Sequence, residues 1–352
     1  MGPHPTLYPC QPDEPWIVAL RPWLRSALAW ASVTFVCSLY YMLPAALVAT
    51  IVLACYGWLR VATTALACLF VLGCAPMREW IGARRFCQVY YETFRVRHNL
   101  HPDDTKVLVD EWANNGTRYI LGMHPHGVIP IQTLVWAAFA DQYCRTAEQG
   151  TLYGFGGMAT ILMYMPIMRS IMGWLSGLSA DYKTLRAGLT GCVFARPPVG
   201  HNLYILPGGI AEIFSAAPGT HAIMWSKRRG LVRLALETGA RLTPVYVFGG
   251  NDFFHQSLTS DSILARWSRA VGASVTLFWG RWWCPPVPLV PPHGLSIVLA
   301  EPLPSMRTAA PDGKPTDAEI GALHAAYEAS IRALFDKYKA AAGYPDAELK
   351  VL

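Results

Sequence analysis

Between residues 26 and 77 the chain carries a single charged side chain, Arg60. The stretch 26–59 is far longer than the roughly 20 apolar residues that cross a bilayer, and 61–77 is close to the minimum. A block of this length and composition places this part of the chain in a membrane. Arg21 and Arg25 precede it, and Arg78, Arg84 and Arg85 follow it. Positive charge on both flanks favours an even number of crossings with both flanks cytosolic, hence two spans. The turn falls either at Pro44, with Arg60 then snorkelling at the far end, or near residues 57–60. The 25 residues before the block contain Asp13, Glu14 and several prolines, so they are not a signal peptide. The expected organisation is a cytosolic segment 1–25, a transmembrane helical hairpin 26–77 and a cytosolic, membrane-associated domain 78–352.

Only 15% of the 352 residues are charged, against about 25% in an ordinary soluble domain. The net charge of +6 suits an anionic membrane surface or a phosphate-bearing ligand. It is too diffuse for a nucleic-acid footprint, and no nucleic-acid motif is present. Nine cysteines, none of them in a Cys-x-x-Cys, argue against a disulfide framework or a zinc knuckle and for a reduced, cytosol-facing domain.

Beyond the block, residues 84–99 are polar and aromatic and read as an interfacial helix or connector, and 101–111 as a linker. The apolar run Tyr119-Ile120-Leu121-Gly122-Met123 reads as a buried strand, as do 201–206, 242–248, 274–279 and 296–300. Ser226 could cap a helix over 227–237 that ends at Gly239. Thr316 and Glu319 form a capping box for a C-terminal helix, with Ile320, Leu323, Tyr327, Ile331, Leu334 and Tyr338 on one face. The prolines of 284–292 mark a loop. Strands alternating with helices predict an α/β domain whose sheet is mixed and mostly parallel, flanked by helices. Residues 156–177 are apolar and rich in methionine. They read either as a monolayer-embedded or substrate-facing surface or as a buried core helix.

Chemistry concentrates at His124-Pro125-His126-Gly127. On a strand, residues two apart share a face. Two imidazoles there could begin a metal site, act as a base near neutral pH, or simply occupy a turn. The remaining histidines show no ligand spacing, so no metal is expected. No Gly-x-Ser-x-Gly elbow, activated thiol or phosphate-binding loop is present. Without a nucleophile or metal, histidine serves as general base on a substrate hydroxyl, which attacks a second substrate in a ternary complex. Pro207-Gly208-Gly209-Ile210-Ala211-Glu212 adds two glycines whose amides could face an oxyanion, and Glu212, which either orients an imidazole or complements a helix dipole. Lys227, Arg228 and Arg229 oppose a helix dipole, so they either bind phosphate groups or form a solvated run.

In order and together, these motifs resemble the type-2 diacylglycerol acyltransferase family, which includes monoacylglycerol and wax-ester acyltransferases. His124-Pro125-His126-Gly127 is similar to its His-Pro-His-Gly block, Pro166-Ile167-Met168-Arg169 to its Pro-x-x-Arg block, and Gly208–Glu212 to its Gly-Gly-x-x-Glu block. Arg229-Gly230-Leu231 resembles its Arg-x-Gly-Phe signature, with leucine for phenylalanine. Tyr90-Tyr91-Glu92 and Gly250-Asn251-Asp252 depart from two further family motifs, which bears on acceptor choice. Plant relatives often replace the first histidine of the block and keep the second. The resemblance therefore implies His126 as base, with His124 and Glu212 in support. It also implies Gly127, Arg169, Gly208, Gly209, Lys227, Arg228 and Arg229 as substrate-binding residues. By the same resemblance the fold is glycerolipid-acyltransferase-like, acyl-CoA is the co-substrate, and no cofactor is needed. The acceptor is diacylglycerol, or else monoacylglycerol or a long-chain alcohol, and a homo-oligomer is admitted. The implied location is the endoplasmic reticulum membrane, with both termini cytosolic, and lipid droplets. A non-catalytic lipid-droplet protein is the alternative of a different class.

Overall fold

The computed structural model describes residues 5–100, 117–143, 145–146, 150–151, 154–191, 202–308 and 313–352. The expected linker 101–111 and His201 lie outside the described residues. Eight strands make the main sheet: β1 Tyr8–Pro9, β2 Arg97–His98, β3 Tyr119–His124, β4 Phe155–Met158, β5 Gly177–Ser179, β6 Leu203–Ile205, β7 Arg241–Phe248 and β8 Ser296–Leu299. Their spatial order is β1-β2-β8-β7-β3-β6-β4-β5. From β7 to β5 all neighbours run parallel, whereas β8 is antiparallel to β7 and β1 to β2. The sheet is thus mixed and mostly parallel, as the alternation of elements predicts.

Helices frame it, among them α1 Pro22–Cys55, α2 Leu59–Gly73, α3 Ile131–Tyr143, α4 Met168–Trp174, α5 Gly209–Ile213, α6 Arg229–Thr238, α7 Ile263–Val271 and α8 Asp317–Ala342. Every residue of β3 is buried, the pattern of a central parallel strand covered on both faces. Leu121, Met123, Val245 and Val247 pack on one side with Trp136 and Phe139 of α3 and with Ala29, Val33 and Cys37 of α1. Ile120, Leu242, Tyr246 and Phe248 pack on the other with Val232 and Leu236 of α6 and Tyr327, Ile331 and Phe335 of α8. The capping box of Thr316 and Glu319 is formed, the six residues expected on the inner face of α8 are buried, and Gly343 closes the helix at φ 100°. Each such large apolar side chain contributes on the order of 1.5–3 kcal/mol when removed from water.

Four expectations need correction. Helix α1 runs unbroken for 34 residues through Pro44. Proline's fixed φ suits a helix, and membrane helices accommodate it where neighbouring groups or local adjustments satisfy the freed carbonyl. Of the two expected turn positions the one near residues 57–60 is taken: the chain breaks at Tyr56-Gly57-Trp58, where Gly57 takes φ +83°, and α2 then packs against α1. Among the described residues one helix, α1, is long and apolar enough to cross a membrane, against the two spans that the flanking charges predict. With 15 residues, α2 falls short of the roughly 20 needed.

Residues 84–99 are not an interfacial connector. Tyr90, Tyr91 and Phe94 are core residues, and the Tyr90 hydroxyl meets Ser32 Oγ of α1 at 3.0 Å. Of 274–279, only Phe278–Trp279 forms a strand, in a separate ribbon with His255–Gln256. Ser226 does not cap α6, which starts at Arg229 without a side-chain cap. The amides of Trp225 and Ser226 are taken by the Leu352 carbonyl, because Lys350–Val351 pairs with Ala222–Ile223.

Candidate active site

The carboxyl ends of β3, β6 and β4 border one crevice, the position at which parallel sheets characteristically bind ligands. A cavity of about 530 Å³ opens there, within the usual range for small-molecule sites. Met123, His126, Gly157, Met158 and Ile205 line its sheet side, Val36, Cys37 and Tyr40 bring α1 to its wall, and Met168 and Met172 come from α4. The methionine-rich stretch 156–177 therefore contributes much of the cavity wall. It holds β4, a short 3-10 turn, α4 and β5 rather than one core helix.

An uninterrupted strand would put His124 and His126 on one face, but β3 ends at His124. His124 is completely buried, its ring centroid 6.1 Å from Trp225 and 6.0 Å from Tyr327. His126 instead borders the cavity. Its Nδ1 lies 2.8 Å from the Gly127 carbonyl. A carbonyl only accepts, so Nδ1 carries the proton and Nε2 keeps the lone pair. Burial pushes this imidazole below its ordinary value of 6.5, against the opposing pull of the Gly127 carbonyl and the Glu212 carboxylate. Gln132, the first polar side chain of α3, donates from Nε2 to the Pro125 and His126 carbonyls at 2.9 and 2.8 Å and pins the turn.

Glu212, on α5, is 1% exposed. Its Oε2 accepts the His126 amide at 3.0 Å and its Oε1 the Met224 amide at 3.1 Å. Hydrogen bonds to a buried charge of this kind stabilise by roughly 1.5–3 kcal/mol each. Oε1 also lies 3.6 Å from His124 Nδ1, outside hydrogen-bond reach yet close enough for strong attraction should that ring take a proton. The carboxylate thus sits between the two histidines. Gly208 is required beneath it, since a Cβ there would overlap the Glu212 carboxylate. Gly209 borders the cavity, with its amide already given to the Leu206 carbonyl at 3.2 Å. Gly127 stands at φ +69°, and a Cβ would come within 2.6 Å of the Gly250 carbonyl oxygen.

The three consecutive cations part company. Lys227 and Arg228 line the cavity, and Arg228 Nη2 donates to the Gly208 carbonyl at 2.5 Å. Arg229 is exposed and opens α6. Arg169 is absent from the cavity lining. It donates from Nε to the Ala75 carbonyl at 2.6 Å and also to the Met163 carbonyl, tying the end of α2 to the domain. Sequence reasoning overlooked Met224, whose contribution is a backbone amide with no signature. It also overlooked Gln132, which a lone amide on an otherwise apolar helix face could have betrayed. A neutral imidazole with a free lone pair in an apolar cavity, beside two cations, can take a proton from a hydroxyl and return it to a leaving group.

A family model described as diacylglycerol acyltransferase matches residues 74–352. Human 2-acylglycerol O-acyltransferase 3 is 29% identical over 293 residues, covering 76% of this chain and 75% of the relative. Diacylglycerol O-acyltransferase 2 of Xenopus laevis is 27% identical over 290 residues, covering 77% and 71%. Human diacylglycerol O-acyltransferase 2-like protein 6 is 28% identical over 246 residues, covering 65% and 68%. With the family model spanning both histidines, Glu212 and all of the cavity lining except that from α1, the chain belongs to the diacylglycerol acyltransferase family.

Proposed function

We propose that the protein transfers a fatty acyl chain from acyl-CoA to the free hydroxyl of diacylglycerol, giving triacylglycerol and CoA. One observation carries this reading: the His126 ring, with Nδ1 committed to the Gly127 carbonyl, stands in a largely apolar cavity bordered by Lys227 and Arg228. His126 Nε2 removes the hydroxyl proton as the oxygen attacks the thioester carbonyl. The tetrahedral intermediate then expels the CoA thiolate, and the imidazolium returns the proton to sulfur. Glu212 holds the base through its amide and stabilises its protonated form, while His124 supports the carboxylate from behind. The glycines at 208 and 209 let the backbone approach the thioester carbonyl. Lys227 and Arg228, with Arg229 farther out, attract the CoA phosphates, and Arg169 secures the wall through which lipid enters. No metal or redox group takes part. The apolar pair α1 and α2 anchors the chain in the endoplasmic reticulum membrane.

The relative named 2-acylglycerol O-acyltransferase 3 favours a second reading, monoacylglycerol as acceptor with the same chemistry. Membranes from cells expressing the chain, supplied with labelled acyl-CoA and a panel of acylglycerols and long-chain alcohols, separate the two by product. Undiminished triacylglycerol formation by His126→Ala would sink the assignment of the base, and no transfer to any acceptor would sink the reaction.

A further inference from the structure

Helix α7 is amphipathic in the reverse sense for a water-facing surface. Its fully buried residues are small, Ala265 and Ser268, with Leu264 half-buried beside them, whereas Ile263, Trp267 and Val271 are 85%, 52% and 50% exposed. These three are spaced by four and share one helical stripe. A helix in water turns that stripe to the core. Ser262 caps the helix through the Ala265 amide, and Gly272 ends it at φ 68°, so the orientation is built in at both ends. The loop that follows continues the surface with Leu277, Trp282 and Trp283, of which Trp282 is 87% exposed.

The charge pattern selects the occupant. From residue 262 to residue 300 the chain has no aspartate or glutamate, and its only charged side chains are Arg266, Arg269 and Arg281. Tryptophan mixed with arginine is the composition of the lipid headgroup zone. The patch is also continuous with the membrane helix. Arg281 lies over the Trp30 ring of α1 at 5.4 Å, and the rings of Tyr40 and Tyr41 pack on Phe278 at 6.2 and 4.8 Å. On its inner side α7 packs against α5, the helix of Glu212, and Ser274 just beyond it borders the cavity.

We infer that residues 262–283 form a second membrane contact, separate from α1 and α2, that seats the domain on an anionic leaflet beside the cavity mouth. Trp267, Trp282 and Trp283 enter the acyl boundary, and the three arginines meet lipid phosphates. This contact is independent of the transfer chemistry.

The test uses the full-length protein in nanodiscs of phosphatidylcholine containing a dibrominated, fluorescence-quenching lipid, with or without phosphatidylserine. Wild type loses a larger fraction of its tryptophan emission than W267F/W282F/W283F, and the difference widens when phosphatidylserine is present. In R266Q/R269Q, which keeps every tryptophan, that widening is lost. Equal quenching of wild type and the triple variant in both lipid mixtures overturns the inference. So does a wild-type particle whose mass shows two chains in contact through this face, dissociated by Trp267→Glu and indifferent to lipid charge.

Discussion

One oxygen of the Glu212 carboxylate accepts the main-chain amide of His126 at 3.0 Å. The proposed base is thus held by its backbone and by Nδ1, which faces the Gly127 carbonyl, leaving Nε2 for chemistry. Glu212→Gln keeps the shape but offers one accepting oxygen where two amides need one each. Loss of a buried, charge-assisted bond costs about 1.5–3 kcal/mol, so kcat falls roughly ten- to a hundredfold. Acylglycerol acyl transfer measured under saturating acyl-CoA checks this, with KM expected to change little.

The pH profile reports the same pair. General-base catalysis needs neutral His126, and burial holds its pKa below 6.5. Activity therefore stays level as pH falls to that value and drops only beneath it. The carboxylate of Glu212 favours the protonated ring, so Glu212→Gln moves the acid limb to still lower pH. An acid limb moving upward in that variant contradicts the proposed electrostatics.

Lys227 and Arg229 are two residues apart and differ in placement, since only Lys227 lines the cavity. Lys227→Gln is expected to raise the KM for acyl-CoA by about fivefold to tenfold, the loss of one partly screened phosphate contact, with kcat preserved. Arg229→Gln changes KM by less than about twofold, as expected for an exposed charge. Arg228→Gln affects both parameters, because its guanidinium also holds the Gly208 carbonyl. Steady-state kinetics at two salt concentrations distinguish the three.

Gly122 and Tyr327 meet behind the site. Tyr327 Oη donates to the Gly122 carbonyl at 2.9 Å, and a Cβ on Gly122 would overlap that same hydroxyl. Overpacking of this kind costs about 1–3 kcal/mol, and Tyr327→Phe alone costs about 1 kcal/mol for the lost bond. The double variant removes the clashing atom, so it melts above Gly122→Ala rather than below it. Thermal unfolding of the detergent-solubilised protein gives the comparison, and additive losses would refute the contact.

Much of this was legible from residues that act through their own side chains. His126, Glu212 and the glycines beneath it lie in contiguous motifs, and α8 announces itself by its capping box and its apolar stripe. Other parts were hidden for physical reasons. Strand β4 contains Gly156 and Gly157, which show no alternation. They are tolerated because Cβ atoms there would crowd the Tyr204 ring and the Ile205 and Leu185 side chains. The help from Met224 is a backbone amide, which every residue but proline can give. Val36, Cys37 and Tyr40 read as lipid-facing in a long apolar run, since sequence cannot tell a wall of lipid from a wall of protein.

The central position of β3 has a consequence for how the chain acquires its site. One edge of β3 pairs with β7 and the other with β6, partners that lie far along the chain. Neither pairing is local, so loops must close before either can reward them, and assembly is correspondingly slow. Until then this apolar strand presents two unpaired edges of N–H and C=O groups, the usual template for intermolecular association. Fragments that stop before Arg241 leave one of those edges permanently open, so they are expected to aggregate rather than form a smaller, partly active core.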